Sequence, residues 1–158
     1  MRNALFFIVT ILACMQASAQ KVFKKNTLYV EILGNGVVLS ANYERQMGNK
    51  PGLGFHMGVG LGGDGPAIPL GAKYLFQLGN QKSFIETGVG VTLAERDLLD
   101  DKNNDLGDHS PYKAAFIPSI GYRHQTKYGL MWRVNYTPIF SAYRNILSFG
   151  GISIGWSI

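Results

Sequence analysis

Hydrophobic and polar residues alternate along most of this chain of 158 residues, beginning after its first twenty positions. The clearest run is Tyr128 to Phe140, where every second residue, starting with Tyr128, is apolar or aromatic. The positions between them are largely small or polar and include Arg133 and Asn135. Because side chains on an extended strand point alternately to its two faces, this period of two predicts a β-strand with one apolar face.

The same alternation recurs often enough to predict eight strands. Their ranges are 28–33, 37–44, 53–61, 68–78, 83–96, 112–124, 128–140 and 151–158. Most of them approach the roughly 9–11 residues that a tilted strand needs to cross a bilayer. No stretch after the first twenty residues is apolar enough for a membrane helix, so a closed sheet is the structure that would satisfy every backbone group in lipid.

The connections between these runs are of two kinds. Short, turn-rich connections lie at 47–51, 79–81 and 125–127. The other set lies at 34–36, 62–65, 97–111 and 141–145, and it includes one long loop. Short periplasmic turns opposite longer outer loops are typical of membrane barrels. The sequence therefore predicts an all-β fold, an eight-stranded antiparallel up-and-down transmembrane β-barrel.

The composition agrees with this prediction. Charged residues make up 16% of the chain, against roughly 25% in an ordinary soluble domain. Aromatic residues and glycine are both plentiful. Short alternating apolar runs, few charges and many aromatic residues are what a membrane barrel needs.

The first nineteen residues predict a cleaved signal peptide. Arg2 is followed by an apolar run from Ala4 to Ala13, which is shorter than the roughly twenty residues of a membrane-spanning helix. Ala17-Ser18-Ala19 has the small-x-small pattern that signal peptidase recognises. Residues 20–158 are then expected to form a single exported domain.

Cys14 is the only cysteine of the chain. After cleavage at Ala19 the mature protein has none, which excludes disulfides, thiol catalysis and cysteine metal sites. An alternative is cleavage before Cys14, which would make Cys14 an acylated lipoprotein N-terminus. Leu12 fits that cleavage pattern less well than Ala17-Ser18-Ala19 fits its own.

From Asn26 to Ile158, strand number, alternation and loop asymmetry resemble the small eight-stranded outer-membrane β-barrels typified by OmpX and the membrane domain of OmpA. The resemblance implies a location in the outer membrane of a Gram-negative bacterium. It implies as partners the barrel-insertion machinery, outer-membrane lipid and lipopolysaccharide. Many family members end on an aromatic residue, whereas here Trp156 stands two positions before the end, on the predicted lipid-facing side.

Six charged residues fall on the inward faces of the predicted strands. Three are acids and three are bases: Glu31, Glu44, Glu86, Lys73, Arg123 and Arg133. An eight-stranded barrel is only wide enough for its side chains to fill, and buried charges are costly unless they are paired. We therefore expect a structural ion-pair network across the lumen. A narrow polar path and a catalytic carboxylate are the alternatives.

The long loop predicts an acidic outer surface, because residues 95–109 hold six of the ten acidic residues. Asp101, Asn103 and Asp105 have the oxygen-ligand spacing of a calcium loop, with Asp108 close by. However, Leu106 replaces the turning glycine, and no glutamate stands at the twelfth position. A solvated acidic loop is the preferred interpretation, and Ca²⁺ binding by these four residues is the alternative; no other cofactor is expected.

The three histidines do not predict an active site. His56 faces the lumen, His109 lies in the long loop, and His124 lies beside a short turn, so they fall at different heights. The sequence therefore predicts a non-enzymatic protein, although some small barrels modify lipid A. The net charge of +5 comes without an aromatic and basic stacking platform, so no nucleic-acid partner is expected.

We accordingly expect an integral outer-membrane protein with an envelope-structural or surface-interaction role through its outer loops. A small channel and a lipid A-modifying barrel enzyme are the alternatives. A soluble lipocalin-like barrel would place apolar residues inside and polar ones outside, against the predicted inward Glu, Lys and Arg residues.

Overall fold

A computed structural model of the chain describes residues 23–36, 38–62, 65–79, 82–95, 112–141 and 144–158. These residues form eight strands: β1 (Asn26–Ile32), β2 (Leu39–Gln46), β3 (Leu53–Leu61), β4 (Pro66–Leu78), β5 (Ser83–Glu95), β6 (Tyr112–Gln125), β7 (Leu130–Ser141) and β8 (Arg144–Ser157). Each strand pairs antiparallel with the next, and β8 pairs with β1. The sheet is thus a closed up-and-down barrel, and the predicted all-β, eight-stranded antiparallel fold is confirmed.

The seven connections between the strands define the two ends of the barrel. Connections 47–52, 79–82 and 126–129 lie at one end, together with both ends of the described chain, and we call it the turn end. The opposite end carries 33–38, 62–65, 96–111 and 142–143, and we call it the loop end. In the part of the chain that the structure describes, no helix is long and apolar enough to span a membrane.

Every strand end except the start of β8 lies within two residues of the predicted one, and pairing and turn geometry explain two of the differences. β8 begins at Arg144, seven residues earlier than predicted, because its ladder with β7 continues up to the pair Ser141 and Arg144 through an irregularity near Ile139. β7 begins at Leu130, since Gly129 adopts a φ of 117° and takes part in the turn. Pairing with β7 therefore extends β8, and the turn at Gly129 shortens β7.

The barrel wall separates an apolar outer face from a polar interior. Outward residues such as Val59 and Ile152 are 67% and 61% exposed. The inward faces are largely polar, and a small apolar cluster of Ala67, Ala94, Ala115, Ile117 and Ile139 is buried among them. The alternation therefore predicted correctly which side of each strand faces inward.

Gly155 allows close approach of two strands where the barrel closes. It lies opposite Tyr29 in the ladder between β8 and β1. A Cβ atom at Gly155 would overlap the carbonyl oxygen of Leu28 and the backbone of Tyr29. Gly150, in the same strand, is open, since the nearest heavy atom to its Cβ position is Asn135 O at 3.9 Å.

We expect Gly155→Ala to lower the free energy of unfolding by about 1–3 kcal/mol, because backbone atoms cannot move aside as a flexible side chain can. Gly150→Ala is the matched control and should leave stability nearly unchanged. Reversible urea unfolding, followed by tryptophan fluorescence, measures both. Equal effects of the two substitutions would contradict the tight closure at Gly155.

Candidate functional site in the barrel interior

The six charged residues singled out in the sequence all lie inside the barrel. Each stands at an inward position of a different strand, and none is more than 2% exposed. The structure brings them into one connected network that joins β1, β2, β4, β5, β6 and β7: Glu31, Glu44, Lys73, Glu86, Arg123 and Arg133. Three carboxylates face three cations, so the network as a whole is neutral.

Arg133 is the centre of this network. Its guanidinium donates to Glu86 Oε1 at 2.8 Å and to Glu31 Oε1 at 3.0 Å. The carboxylate of Glu44 lies 3.8 Å away. The guanidinium also stacks over the ring of Tyr29, with 4.5 Å from its carbon to the ring centroid. Arg133 of β7 thereby contacts carboxylates of β1, β2 and β5 across the interior.

Arg123 forms a second centre closer to the turn end. It donates to the carboxylate of Glu44 at 2.5 Å and lies 3.6 Å from Glu86. Its other terminal nitrogen donates to Thr27 at 3.0 Å and to Gln125 at 3.1 Å. Glu86 therefore contacts both arginines and links the two centres.

Lys73 completes the network from β4. Its ammonium lies 3.2 Å from Glu86 Oε1 and donates to the hydroxyl of Tyr29 at 3.2 Å. Glu86 consequently has three cations within ion-pair distance, which offsets the cost of burying its charge. The ring of Tyr29 lies between Lys73 and Arg133 and contacts both.

A shell of neutral polar side chains surrounds the charges, and the sequence analysis did not single it out. Asn135 and Ser153 donate to Glu31 at 3.1 Å and 3.3 Å, and Gln46 donates to Glu44 at 3.0 Å. Asn135 and Ser153 occupy inward positions of the predicted strands, so the alternation was the signal that could have identified them. Gln46 lies two residues past the predicted end of its strand at 44, and only the observed strand includes it.

The connection between β1 and β2 enters the interior, whereas the sequence analysis placed residues 34–36 in an outer loop. Asn35 is only 2% exposed. Its side-chain nitrogen Nδ2 lies 3.0 Å from His56 Nε2, and its backbone carbonyl oxygen accepts from the hydroxyl of Thr92 at 2.5 Å. Leu33 and Gly34 have φ values of 57° and 97°, and this left-handed backbone turns the chain inward.

The two described histidines lie on opposite faces of the barrel wall. His56 points inward and contacts Asn35, whereas His124 stacks on the outward-facing Trp132. His124 Nδ1 lies 3.4 Å from Ser83 Oγ, and that oxygen accepts a hydrogen bond from the hydroxyl of Tyr122 at 2.8 Å. The structure does not gather these histidines into one site.

Other sequence-predicted features fall outside the described residues. They are the signal peptide at 1–19 with Cys14, the histidine at 109, and the calcium alternative at Asp101, Asn103, Asp105 and Asp108. Within the part of the chain that is described, no group of three or more His, Cys, Asp or Glu side chains could hold a metal ion.

The sequence was compared with models of protein families and with curated proteins. No family model matches it, and no curated protein matches it. Functional inference therefore depends on the physical properties of the barrel.

Proposed function

We propose that this protein is an integral outer-membrane β-barrel of a Gram-negative bacterium, with a filled lumen and no enzymatic activity. Its role in this proposal is envelope-structural, or surface interaction through the connections of the loop end. The observation that carries the proposal is the inverted distribution of polarity. Charges are buried and paired inside, while large apolar side chains cover the outside.

The outer surface is unsuited to water. Fully burying a Val, Leu, Ile, Phe or Met side chain is worth about 1.5–3 kcal/mol, and such residues stand outward on all eight strands with roughly half of their surface exposed. Soluble monomers rarely expose a contiguous apolar patch larger than a few hundred Å². A lipid bilayer would cover this face, and a soluble lipocalin-like barrel would carry the opposite pattern.

Aromatic residues mark a band near the turn end. Seven of them face outward there: Tyr43, Phe55, Tyr74, Phe76, Tyr122, Trp132 and Trp156. Tyr74 contacts Phe76 and Tyr122 contacts Trp132, with ring centroids 4.6 Å and 5.4 Å apart. Membrane barrels place aromatic girdles at the level of the lipid headgroups. The band therefore supports a membrane boundary at this end.

Cell fractionation tests the location directly. The protein should remain with the outer membrane after a high-salt wash, and detergent should extract it. On a gel, the folded barrel should migrate differently before and after boiling. Recovery in the soluble periplasmic fraction would overturn the proposal.

The filled interior supports a closed barrel over a small channel. We expect the purified protein to give no large, stable conductance in planar bilayers, because the charge network and Asn35 occupy the lumen. A conducting eight-stranded barrel of the same preparation type serves as the positive control. Stable conductance steps would favour the channel alternative.

Cysteine labelling tests which end faces outward. In a Cys14→Ser background, Asn104→Cys should react with a membrane-impermeant maleimide on intact cells, since the connection at 96–111 belongs to the loop end. Met47→Cys, at the turn end and 65% exposed at the native methionine, should react only after the outer membrane is breached. The reverse result would invert the orientation.

A further inference from the structure

The charges of the chain are sorted between the two ends of the barrel. Three of the ten acidic residues belong to the interior network, and the other seven stand in the sequence between β3 and β4, at position 64, or from the end of β5 to the start of β6, at positions 95, 97, 100, 101, 105 and 108. The segments that form the turn end contain no Asp or Glu in the sequence. They carry several lysines instead, so the turn end is strongly basic.

Four of these lysines line one pocket at the turn end. The pocket has a volume of about 520 Å³ and contains Lys24, Lys50, Lys82 and Lys127, which come from the N-terminal stretch and from all three short turns. The other residues that line it are neutral. Its volume falls within the roughly 300–1,000 Å³ of small-molecule sites.

Several contacts hold this pocket in shape. Lys24 Nζ donates to the carbonyl oxygen of Tyr128 at 2.9 Å, and Lys127 Nζ lies 4.8 Å from the centroid of the Tyr128 ring. Phe23 packs edge-on against Phe84, with 6.2 Å between the ring centroids, and the two rings form an apolar wall. Lys24 and Lys127 are thus positioned by contacts with Tyr128 before any ligand arrives.

Gln125 links this pocket to the charge network. It lines the pocket, and its side-chain oxygen accepts from Arg123 Nη2 at 3.1 Å. Arg123 is in turn paired with Glu44. Through Gln125 the pocket lining is thus joined to Arg123 and to the charge network of the interior.

We propose that this pocket binds a phosphate-bearing group, such as a phosphate ester headgroup or a small soluble phosphate compound. Four cations in one pocket repel one another, and a polyvalent anion relieves that repulsion. Lysine binds phosphate as a compact point charge with three donors. The aromatic wall accommodates an apolar part next to the phosphate. The proposal does not rest on membrane insertion, because a soluble phosphate compound and a lipid headgroup would present the same phosphate chemistry to the pocket.

The test uses the full chain, purified in a zwitterionic detergent. Inorganic pyrophosphate should bind saturably in isothermal titration, and the affinity should fall as salt is raised. Lys50→Gln combined with Lys82→Gln should raise Kd at least about tenfold, as expected for the loss of two charge-assisted hydrogen bonds. Lys25→Gln combined with Arg45→Gln removes as many charges from described residues outside the pocket lining and should change Kd less than about twofold.

A second measurement needs no substitution and identifies the source of the phosphate. Acetylation of each lysine is followed by mass spectrometry, with and without pyrophosphate. The same measurement is made in nanodiscs of phosphatidylcholine, whose phosphate charge is balanced by choline, with and without the anionic phosphatidylglycerol. Protection of Lys50 and Lys82 relative to Lys25 by pyrophosphate supports a soluble ligand, and protection by phosphatidylglycerol alone supports a lipid headgroup. No saturable pyrophosphate binding together with no selective protection by either probe would overturn the proposal. So would equal weakening in the two double variants.

Discussion

Replacing Arg133 by methionine is expected to lower the free energy of unfolding by about 3–5 kcal/mol, the cost of leaving buried carboxylates without their counter-charge. Arg133 lies within 4 Å of the carboxylates of Glu31, Glu44 and Glu86, and its side chain is inaccessible to solvent. Methionine retains much of the apolar length of the side chain, so the loss reports charge more than volume. Reversible urea unfolding in lipid vesicles measures the change.

Arg45→Met is the matched control for this prediction. Arg45 lies in β2 on the exposed face, and substitutions at such positions are usually within about 0.5 kcal/mol of neutral. A loss of stability at Arg45 as large as that at Arg133 would show that removing any arginine harms folding. It would leave the network without a special role.

Double-mutant cycles separate the individual pairs. Arg133→Met combined with Glu86→Gln should cost less than the sum of the two single changes, because neither charge is then stranded, with a coupling of about 0.5–3 kcal/mol. The cycle with Glu31→Gln should behave in the same way. Arg133→Met combined with Arg45→Met should be additive. Strict additivity in both cycles that include a glutamate would contradict the ion pairing described above.

Val134→Arg, one residue along the chain, is expected to destabilise the barrel in lipid by about 1–3 kcal/mol, because an arginine costs about 2–4 kcal/mol at the bilayer midplane and less toward the aromatic band. The native side chain is 48% exposed, and its neighbours across β6 and β8 are Tyr122 and Ile152. Under the proposed location these residues face lipid tails, which cannot solvate a guanidinium. The same reversible unfolding assay in vesicles applies.

Val134→Ala is the control, since it shortens the side chain without adding charge and should cost much less than Val134→Arg. A barrel that tolerates arginine and alanine equally at this position would have water, not lipid, against its outer face. That result would contradict the membrane proposal without affecting the conclusion that the interior charges are paired. The Arg133 and Val134 variants therefore test different conclusions.

The alternation in the sequence was sufficient to predict the number of strands and the face of each strand that the described side chains show to be inward. In an extended chain, neighbours such as Arg133 and Val134 point to opposite faces whatever their partners are. The predicted inward charges therefore lie inward in the structure. The end of a strand is a different matter, because β8 reaches back to Arg144 only where β7 offers backbone groups to pair with.

The pairing of the inward charges could not be predicted, since it depends on the tilt and stagger of strands around a closed barrel. Arg123 meets Glu44, which lies 79 positions away in the chain, and Arg133 meets both Glu86 and Glu31. The sequence restricted these partners to three acids and three bases without ordering them. Only the closed sheet determines which of these acids and bases lie at the same level along the barrel axis.

The remaining features arise from segments that leave the strands. Asn35 looked like part of an outer turn, yet the left-handed backbone at Leu33 and Gly34 sends it into the interior. Lys24, Lys50, Lys82 and Lys127 are far apart in the sequence and meet because closure of the barrel places the N-terminal stretch and three turns around one opening. Local periodicity by itself determined the strands and their two faces, because it needs no partner. Tertiary structure alone decided the contacts across the lumen and at the turn end, because these exist only once β8 has paired with β1.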